Sequence, residues 1–328
     1  MSELGERATI GATRVEEERE AEELAAASGG HPGFTGPSGT KRGFGGWFID
    51  TGWRHIVGIV ALIFALFPVY WVVTGALSSS GNLSTQQLVP DGVSLDNFRA
   101  LLSDPGHPPF WTWFWNSMIV CFVTSLGTVV LCALGAYAFS RQRFKGRRPG
   151  MLALLFIQMF PNSVAVVAIF LVLQRIGDVF PALGLGQLAS LTLVYLGGAI
   201  GIQTWLIKGF FDSIPSELDE SAKVDGATHF QIFYKVILPL AVPILVVVFL
   251  LQFIVTINEL ILAEALLRGS EGNYTLALGL SRYVNAGFDS RWGPFAAGSI
   301  ISGVPVLMIF YFAQRYIVSG LTAGAVKG

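Results

Sequence analysis

Apolar residues along the chain gather in six long runs, separated by polar stretches of unequal length and charge. The runs are IVGIVALIFALFPVYWVVTGAL from Ile56, FWNSMIVCFVTSLGTVVLCALGAYAF from Phe114, MLALLFIQMFPNSVAVVAIFLVL from Met151, LASLTLVYLGGAIGIQTWLI from Leu188, LAVPILVVVFLLQFIVTINELIL from Leu240 and FAAGSIISGVPVLMIFYFAQRYIV from Phe295. Each supplies the roughly 20 residues that an α-helix needs to cross a bilayer. The pattern therefore predicts an all-α integral membrane protein with six transmembrane helices. Pro68, Pro161, Pro243 and Pro305 fall inside the runs, where bilayer helices tolerate proline if neighbouring groups re-satisfy the backbone.

The polar stretches set an orientation. Arg141, Arg143, Lys145, Arg147 and Arg148 follow the second run, and Lys208, Lys223 and Lys235 follow the fourth. On the opposite side the stretch after the first run holds only Arg99, and Arg268, Arg282 and Arg291 are thinly spread. The positive-inside rule places both termini and the 208–238 stretch in the cytoplasm, with the membrane crossed several times. Composition agrees: 52% of residues are hydrophobic and only 13% charged, against about 25% charged in soluble domains. A net charge of -1 without a basic stripe gives no reason to expect a nucleic acid partner.

Residues 1–54 read differently. VEEEREAEELAAA is acidic, GGHPGFTGPSGTKRGFGG is rich in Gly and Pro, and the first apolar run begins only near Ile56. This is expected to be a largely disordered cytoplasmic extension and not a signal peptide, whose apolar core sits within the first 15–30 residues or so. Residues 55–318 would form the membrane domain and 319–328 a short cytoplasmic tail. Cys121 and Cys132 share one run; as helical residues they would stand roughly 16 Å apart along the axis, at 1.5 Å per residue, beyond the reach of a disulfide. They are read as packing residues.

Two outer stretches, 79–112 and 265–293, exceed the usual helix connection. Trp111, Trp113, Trp115 and Trp292 flank the membrane runs, as interfacial belts do. The 265–293 stretch is too long to be a mere connector and suggests docking. Charges inside the runs are few: Glu259 and Glu264 lie at the outer end of the fifth, where a hydrated helix end and a gating role both remain open, and Asn116 near the start of the second. A proton- or sodium-driven carrier would be expected to show ionisable groups near the midplane. Tyr70, Trp71 and Gln252 are aromatic and hydrogen-bonding side chains that could line a ligand site, yet aromatic residues in membrane runs are usually packing, so substrate contacts stay unassigned.

Motifs of catalysis are absent from the sequence. There is no G-x-x-x-x-G-K-[ST] loop, no H-E-x-x-H and no G-x-S-x-G, and His31, His55, His107 and His229 are scattered. No catalytic, nucleotide or metal site is expected in this chain.

The polar stretch SELDESAKVDGATHFQIFYKVILPLAVP, from Ser216, carries more local structure than a connector needs. Ser216 with Asp219 predicts a capped helix, Asp225–Gly226 a stop, and Thr228 with Gln231 a capping box that starts a second helix. Phe230, Phe233, Tyr234 and Ile237 are expected on one side, with Pro239 closing the segment. Small residues Ser221, Ala222 and Ala227 surround the bend. The acidic residues Glu217, Asp219, Glu220 and Asp225 argue for protein docking over anionic lipid headgroups.

The pattern E-S-A-x-x-D-G-A-x(9)-I-L-P, from Glu220 to Pro239, resembles the EAA loop of ABC importer permeases, with Ser221 in place of the first Ala. PPFWTWFWNS, GAYAFSRQRFKG, IQMFP, VYLGG, NYTLALGL, WGPFAAG and SGLTAGAVKG extend the resemblance over roughly 55–328, to the maltose/maltodextrin permeases of carbohydrate importers. The resemblance implies an ABC importer type I permease fold in which Glu220, Ser221, Ala222, Asp225, Gly226 and Ala227 form an ATPase-coupling helix seated in a cytoplasmic ATPase. It implies that the tail Thr322, Ala323, Gly324, Ala325, Val326, Lys327 and Gly328 reaches the same ATPase. It also implies that Arg268, Asn273, Tyr274 and Trp292 dock an extracytoplasmic sugar-binding protein. The implied partners are a MalF-like second permease, two MalK-like ATPase subunits that bind ATP and Mg, and membrane lipid; the sugar would be held mainly by the partner permease. Two other readings stand beside this one: an importer for another sugar such as trehalose, and a secondary carrier, against which the EAA-like loop argues.

Overall fold

The computed structural model describes residues 52–79, 92–103, 109–285 and 290–325, without the side chains of 162–163 and of those beyond 316. The chain divides into a unit of residues 1–65 and a unit of 66–328. Of the acidic and Gly/Pro-rich extension, residues 1–51 lie outside the described residues; the first helix, α1, runs Trp53–Leu77 and so starts slightly earlier than its apolar run. Apart from α1, which runs across the boundary, all that follows concerns the second unit.

The helices in chain order are α2 (Asp96–Leu102), α3 (Phe110–Arg141), α4 (Arg147–Gln158), α5 (Asn162–Val179), α6 (Leu188–Ser213), α7 (Glu217–Val224), α8 (His229–Ile232), α9 (Leu238–Leu240), α10 (Val242–Ile257), α11 (Ile261–Leu267), α12 (Leu276–Val284) and α13 (Trp292–Ala325). Helix α3 is the central post. It packs along α6 and α10, and α10 packs in turn on α13. Its inner face is small or hydroxylated: Ser117, Thr124, Ser125, Thr128, Ala133 and Ala136 are buried, while Phe122, Leu126 and Val130 are exposed. Membrane helices pack in this way, through small residues that let backbones approach, because lipid is as apolar as leucine and large apolar side chains lose nothing by facing it. A Cβ on Gly135 would already touch Thr204 Cγ2 at 3.4 Å.

Among the described residues four helices are long and apolar enough to cross a membrane, α1, α3, α6 and α13, and a fifth crossing forms if a bent pair counts as one. The six expected runs differ from this in two places. The third is divided: α4 ends at Gln158 and α5 begins at Asn162, with Pro161 at its N-cap. Proline disfavours helix in the residue before it, so a run read as one helix becomes two. In the fifth, the helix from His229 to Leu240 meets α10 at 76°. Phe233–Ile237 form a π turn just ahead of Pro239, which lacks an N–H and crowds the carbonyl four residues back.

The outer stretch 265–293 is folded back into the body. Tyr274, Leu276, Leu278, Leu280 and Tyr283 are buried with Trp113 and Phe110 in one apolar cluster. Trp113 is thus a core residue and not part of an interfacial belt; its indole edge meets the Tyr283 ring at 6.4 Å, and a Cβ on Gly279 would overlap it. Trp111 and Trp115 remain exposed on the same helix. In the other outer stretch, Asn97 of α2 donates from Nδ2 to the carbonyls of Ala76 at 3.0 Å and Ser78 at 2.8 Å, closing the end of α1. Cys121 and Cys132 are free and buried, consistent with packing.

Candidate coupling site

The turn between α7 and α8 is built by two local devices. Gly226 at φ +80° follows α7, its N–H donates to Lys223 O at 3.0 Å and the Ala227 N–H donates to Ala222 O at 2.9 Å. This is the paired bonding of a Schellman termination, which a left-handed glycine permits. Thr228 then opens α8 with a full capping box: its Oγ1 accepts the Gln231 N–H at 3.3 Å, and its own N–H donates to Gln231 Oε1 at 2.8 Å. Both devices were expected. The cap at Ser216 was not found: its backbone is already helical and its side chain makes no capping bond, since Asp219 N–H reaches the Ser216 carbonyl instead, at 3.0 Å.

Asp219 has another use. Its Oδ2 lies 2.8 Å from Arg141 Nε at the end of α3, with both side chains largely buried, 14% and 8% exposed. The same guanidinium donates to Ile214 O at 2.8 Å. Around this pair Ser140 Oγ donates to Asp212 Oδ1 at 2.6 Å, Lys208 pairs with the other oxygen of Asp212, and Tyr137 OH donates to His229 O at 3.1 Å. Arg147 closes α3 by donating to Phe139 O at 2.5 Å and Ser140 O at 2.9 Å, satisfying carbonyls that a helix end leaves bare. Sequence reading missed Arg141 and Asp219. No local signal marked them, since Asp219 sits among other acidic residues and its partner arrives from another helix.

The expected coupling residues divide accordingly. Ala222 and Ala227 pack against the buried cluster of Phe211, Ile232, Phe233 and Ile237. Glu220, Ser221, Asp225 and Gly226 are exposed. The large apolar residues of α8 and the π turn after it split as well: Phe233 and Ile237 are buried, but Phe230 is 67% exposed and Tyr234 exposed beside it, a correction to the single-sided cluster. Val224 is 88% exposed at the tip. The result is an apolar tip of Val224 and Phe230 flanked by Glu220 and Asp225, on a base locked to α3.

The expected docking residues of the outer stretch also divide. Tyr274 is buried, and its hydroxyl accepts from Arg282 at 2.8 Å. Asn273 Nδ2 donates to Gly186 O at 2.7 Å. Asn116 Nδ2 donates to Gly272 O at 2.9 Å and Tyr274 O at 3.1 Å. Asn273 and Tyr274 therefore anchor the stretch to the chain's own body; Arg268 is exposed and Trp292, half-buried, opens α13. Helix α13 continues through Thr322, Ala323, Gly324 and Ala325, and Val326, Lys327 and Gly328 lie outside the described residues.

Two other polar residues of the fifth run, Glu259 and Gln252, have internal partners. Glu259 accepts the Leu262 N–H at 2.9 Å, the Ala263 N–H at 3.1 Å and the Tyr195 hydroxyl at 2.6 Å, so it caps α11. Gln252 Nε2 donates to Thr256 Oγ1 at 3.1 Å. Among the described residues no cluster of His, Cys, Asp and Glu could hold a metal ion.

The chain matches the family described as binding-protein-dependent transport system inner membrane component over residues 129–322. It is 41% identical over 290 residues to the maltose/maltodextrin transport system permease protein MalG of Photorhabdus laumondii, covering 84% of this chain and 97% of that one. It is 39% identical over 284 residues to MalG of Salmonella typhimurium, covering 84% and 95%. Among solved structures it resembles a chain of a bacterial ABC transporter involved in the import of the acidic polysaccharide alginate, with a TM-score of 0.66, 25% identity, and coverage of 80% of this chain and 94% of that one. An all-helical membrane fold, a projecting capped turn and these likenesses together make the chain a member of the binding-protein-dependent transport family, the inner-membrane permeases of ABC importers.

Proposed function

We propose that the chain is the permease subunit of an ATP-driven importer for maltose or maltodextrin-type oligosaccharides. One observation carries the mechanism: the α7–α8 turn exposes Val224 and Phe230 while its base is held to α3 through Arg141 and Asp219. A turn presented in this way suits a cleft in a partner ATPase, and its attachment to α3 suits transmission of movement into the membrane. Identity to MalG supports the cargo.

In this reading the six apolar runs are six crossings, with both termini and the turn cytoplasmic. The chain pairs with a second, MalF-like permease and with two MalK-like ATPase subunits, which bind ATP and Mg; the tail from Thr322 touches the same ATPase. When the ATPase pair closes, the docked turns move together and the permease pair rocks between inward- and outward-facing states. ATP binding and the loaded sugar-binding protein each favour the outward state, which links the two sites energetically. On the outer side Arg268 and Trp292 are left for that binding protein, since Asn273 and Tyr274 are engaged within the chain.

The test is ATP hydrolysis by the complex of this chain with its permease and ATPase partners in lipid. Maltose- or maltodextrin-loaded binding protein is expected to stimulate it. Stimulation by trehalose-loaded protein alone would correct the cargo, and failure of any ATPase to associate would overturn the docking role of the turn.

A further inference from the structure

Two sequence motifs with no role in the mechanism above, IQMFP and VYLGG, meet in space. Gln158, the last residue of α4, lies against the middle of α6. Its Nε2 donates to Gly198 O at 2.8 Å, and its Oε1 accepts the Ile202 N–H at 2.9 Å. These two backbone groups are not arbitrary. An α-helix pairs the N–H of each residue with the carbonyl four before it, so Gly198 and Ile202 are the two ends of one rung. The primary amide of Gln158 offers both of them the bond that they otherwise make with each other.

The surroundings are shaped for this approach. A Cβ on Gly201 would lie 2.6 Å from Leu154 O and 2.8 Å from Gln158 Cδ, whereas a Cβ on Gly197 or Gly198 would meet nothing within 4 Å in this chain. Immediately after Gln158 the chain breaks between α4 and α5 at Pro161. Bends within long helices arise where a side chain enters the backbone bonding pattern or where proline removes a donor. Both devices stand here side by side. In lipid such a rung must be satisfied at all times, and this amide satisfies it whether the rung is closed or open.

We propose that Gln158 is a positioning residue for transport: its amide holds the Gly198–Ile202 rung of α6 in a shared state, so that α6 flexes against the α4–α5 break as the permease alternates. The proposal rests on the transport reading above. The rung then has two arrangements, closed on itself or carried by Gln158, and a two-state element of this kind is what a partner can bias.

The experiment uses the complex in lipid vesicles, with ATP hydrolysis measured with and without maltose-loaded binding protein, and sugar uptake alongside. If the unaltered complex is not stimulated, the proposed function fails before the joint is tested against any sugar, and the variants are then compared by basal hydrolysis and by the thermal shift on nucleotide binding. Gln158→Met keeps the shape of the side chain and removes both bonds. It is expected to change the stimulation ratio by about fivefold or more, the low end of coupling between distant sites, at normal complex yield. Gly201→Ala, which displaces the amide, is expected to do the same, and Gly197→Ala to behave as the unaltered chain. Unchanged ratios in the first two variants would overturn the proposal. So would equal effects of Gly201→Ala and Gly197→Ala. Failure of both Gln158→Met and Gly201→Ala to assemble, with Gly197→Ala assembling, would make Gln158 a static clamp and also overturn it.

Discussion

Arg141 closes the central helix α3 and, through Nε, holds Asp219 Oδ2 of the coupling turn at 2.8 Å. The contact joins the element that would dock outside the membrane to the element that packs most widely within it. A buried pair of this type is expensive to halve, because the remaining charge keeps its desolvation cost and loses its partner, at about 3–5 kcal/mol. Asp219→Leu and Arg141→Met should each lower the thermal stability of the purified complex markedly. The double change Arg141→Met with Asp219→Leu should recover most of that loss, since apolar replacement of a whole buried pair is often neutral. A double variant as unstable as the sum of the singles would show that the two residues act independently.

The turn itself depends on one backbone angle. Gly226 sits at φ +80° with open space where a Cβ would go. Gly226→Ala therefore meets only the left-handed penalty of roughly 1–2 kcal/mol and should leave uptake reduced but measurable. Gly226→Pro demands φ near -65° and deletes the N–H that reaches Lys223. Membrane insertion should be normal and sugar uptake lost. Normal uptake by the proline variant would remove the turn from the coupling mechanism.

How far the sequence led can be judged from neighbouring residues. Thr228 and Gln231 form the capping box that their spacing predicts, and Gly226 stops α7 as the Asp-Gly pair suggests. Both signals are local, and local bonding decides them. Asp219 carries no such signal: it lies among four acidic residues and only the arrival of Arg141 from another helix makes it a buried partner. The outer stretch fails for a related reason. Leu276, Leu280 and Tyr283 are buried at i, i+4 and i+7, a helical period the sequence carries, but which surface they meet, α3 and α13, is decided by the fold and not by the stretch itself. Pro161 was read as tolerated within a crossing; it stands instead at the N-cap of α5, where the third run breaks.

Gly279 in that outer stretch makes room for Trp113. A Cβ there would overlap the indole, so Gly279→Ala should shift α12 and cost about 1–3 kcal/mol, as overpacking does. Gly272→Ala, where a Cβ meets nothing within 4 Å, is the control and should be silent. Limited trypsin digestion at Arg282 would read the difference: faster cleavage is expected for Gly279→Ala only. Equal digestion of both variants would mean that the stretch yields without losing its seat.

Glu259 separates the ATP-driven reading from a proton-driven one. Its carboxylate accepts two backbone N–H groups of α11 and the Tyr195 hydroxyl, which makes it a cap rather than a free ionisable group on a pathway. Glu259→Gln keeps one amide oxygen to accept at the same place and should retain most ATP-dependent uptake. Glu259→Ala strands the donors of Leu262 and Ala263, residues buried with the core, at about 1–3 kcal/mol for each unsatisfied group; it should lower stability and assembly. A proton carrier would not separate the two variants, because glutamine cannot exchange a proton and would stop transport as completely as alanine. Uptake into vesicles that hold ATP but no pH gradient therefore decides between them. If Glu259→Gln abolishes uptake while the complex remains assembled, the carboxylate takes part in translocation and its role as a cap is secondary.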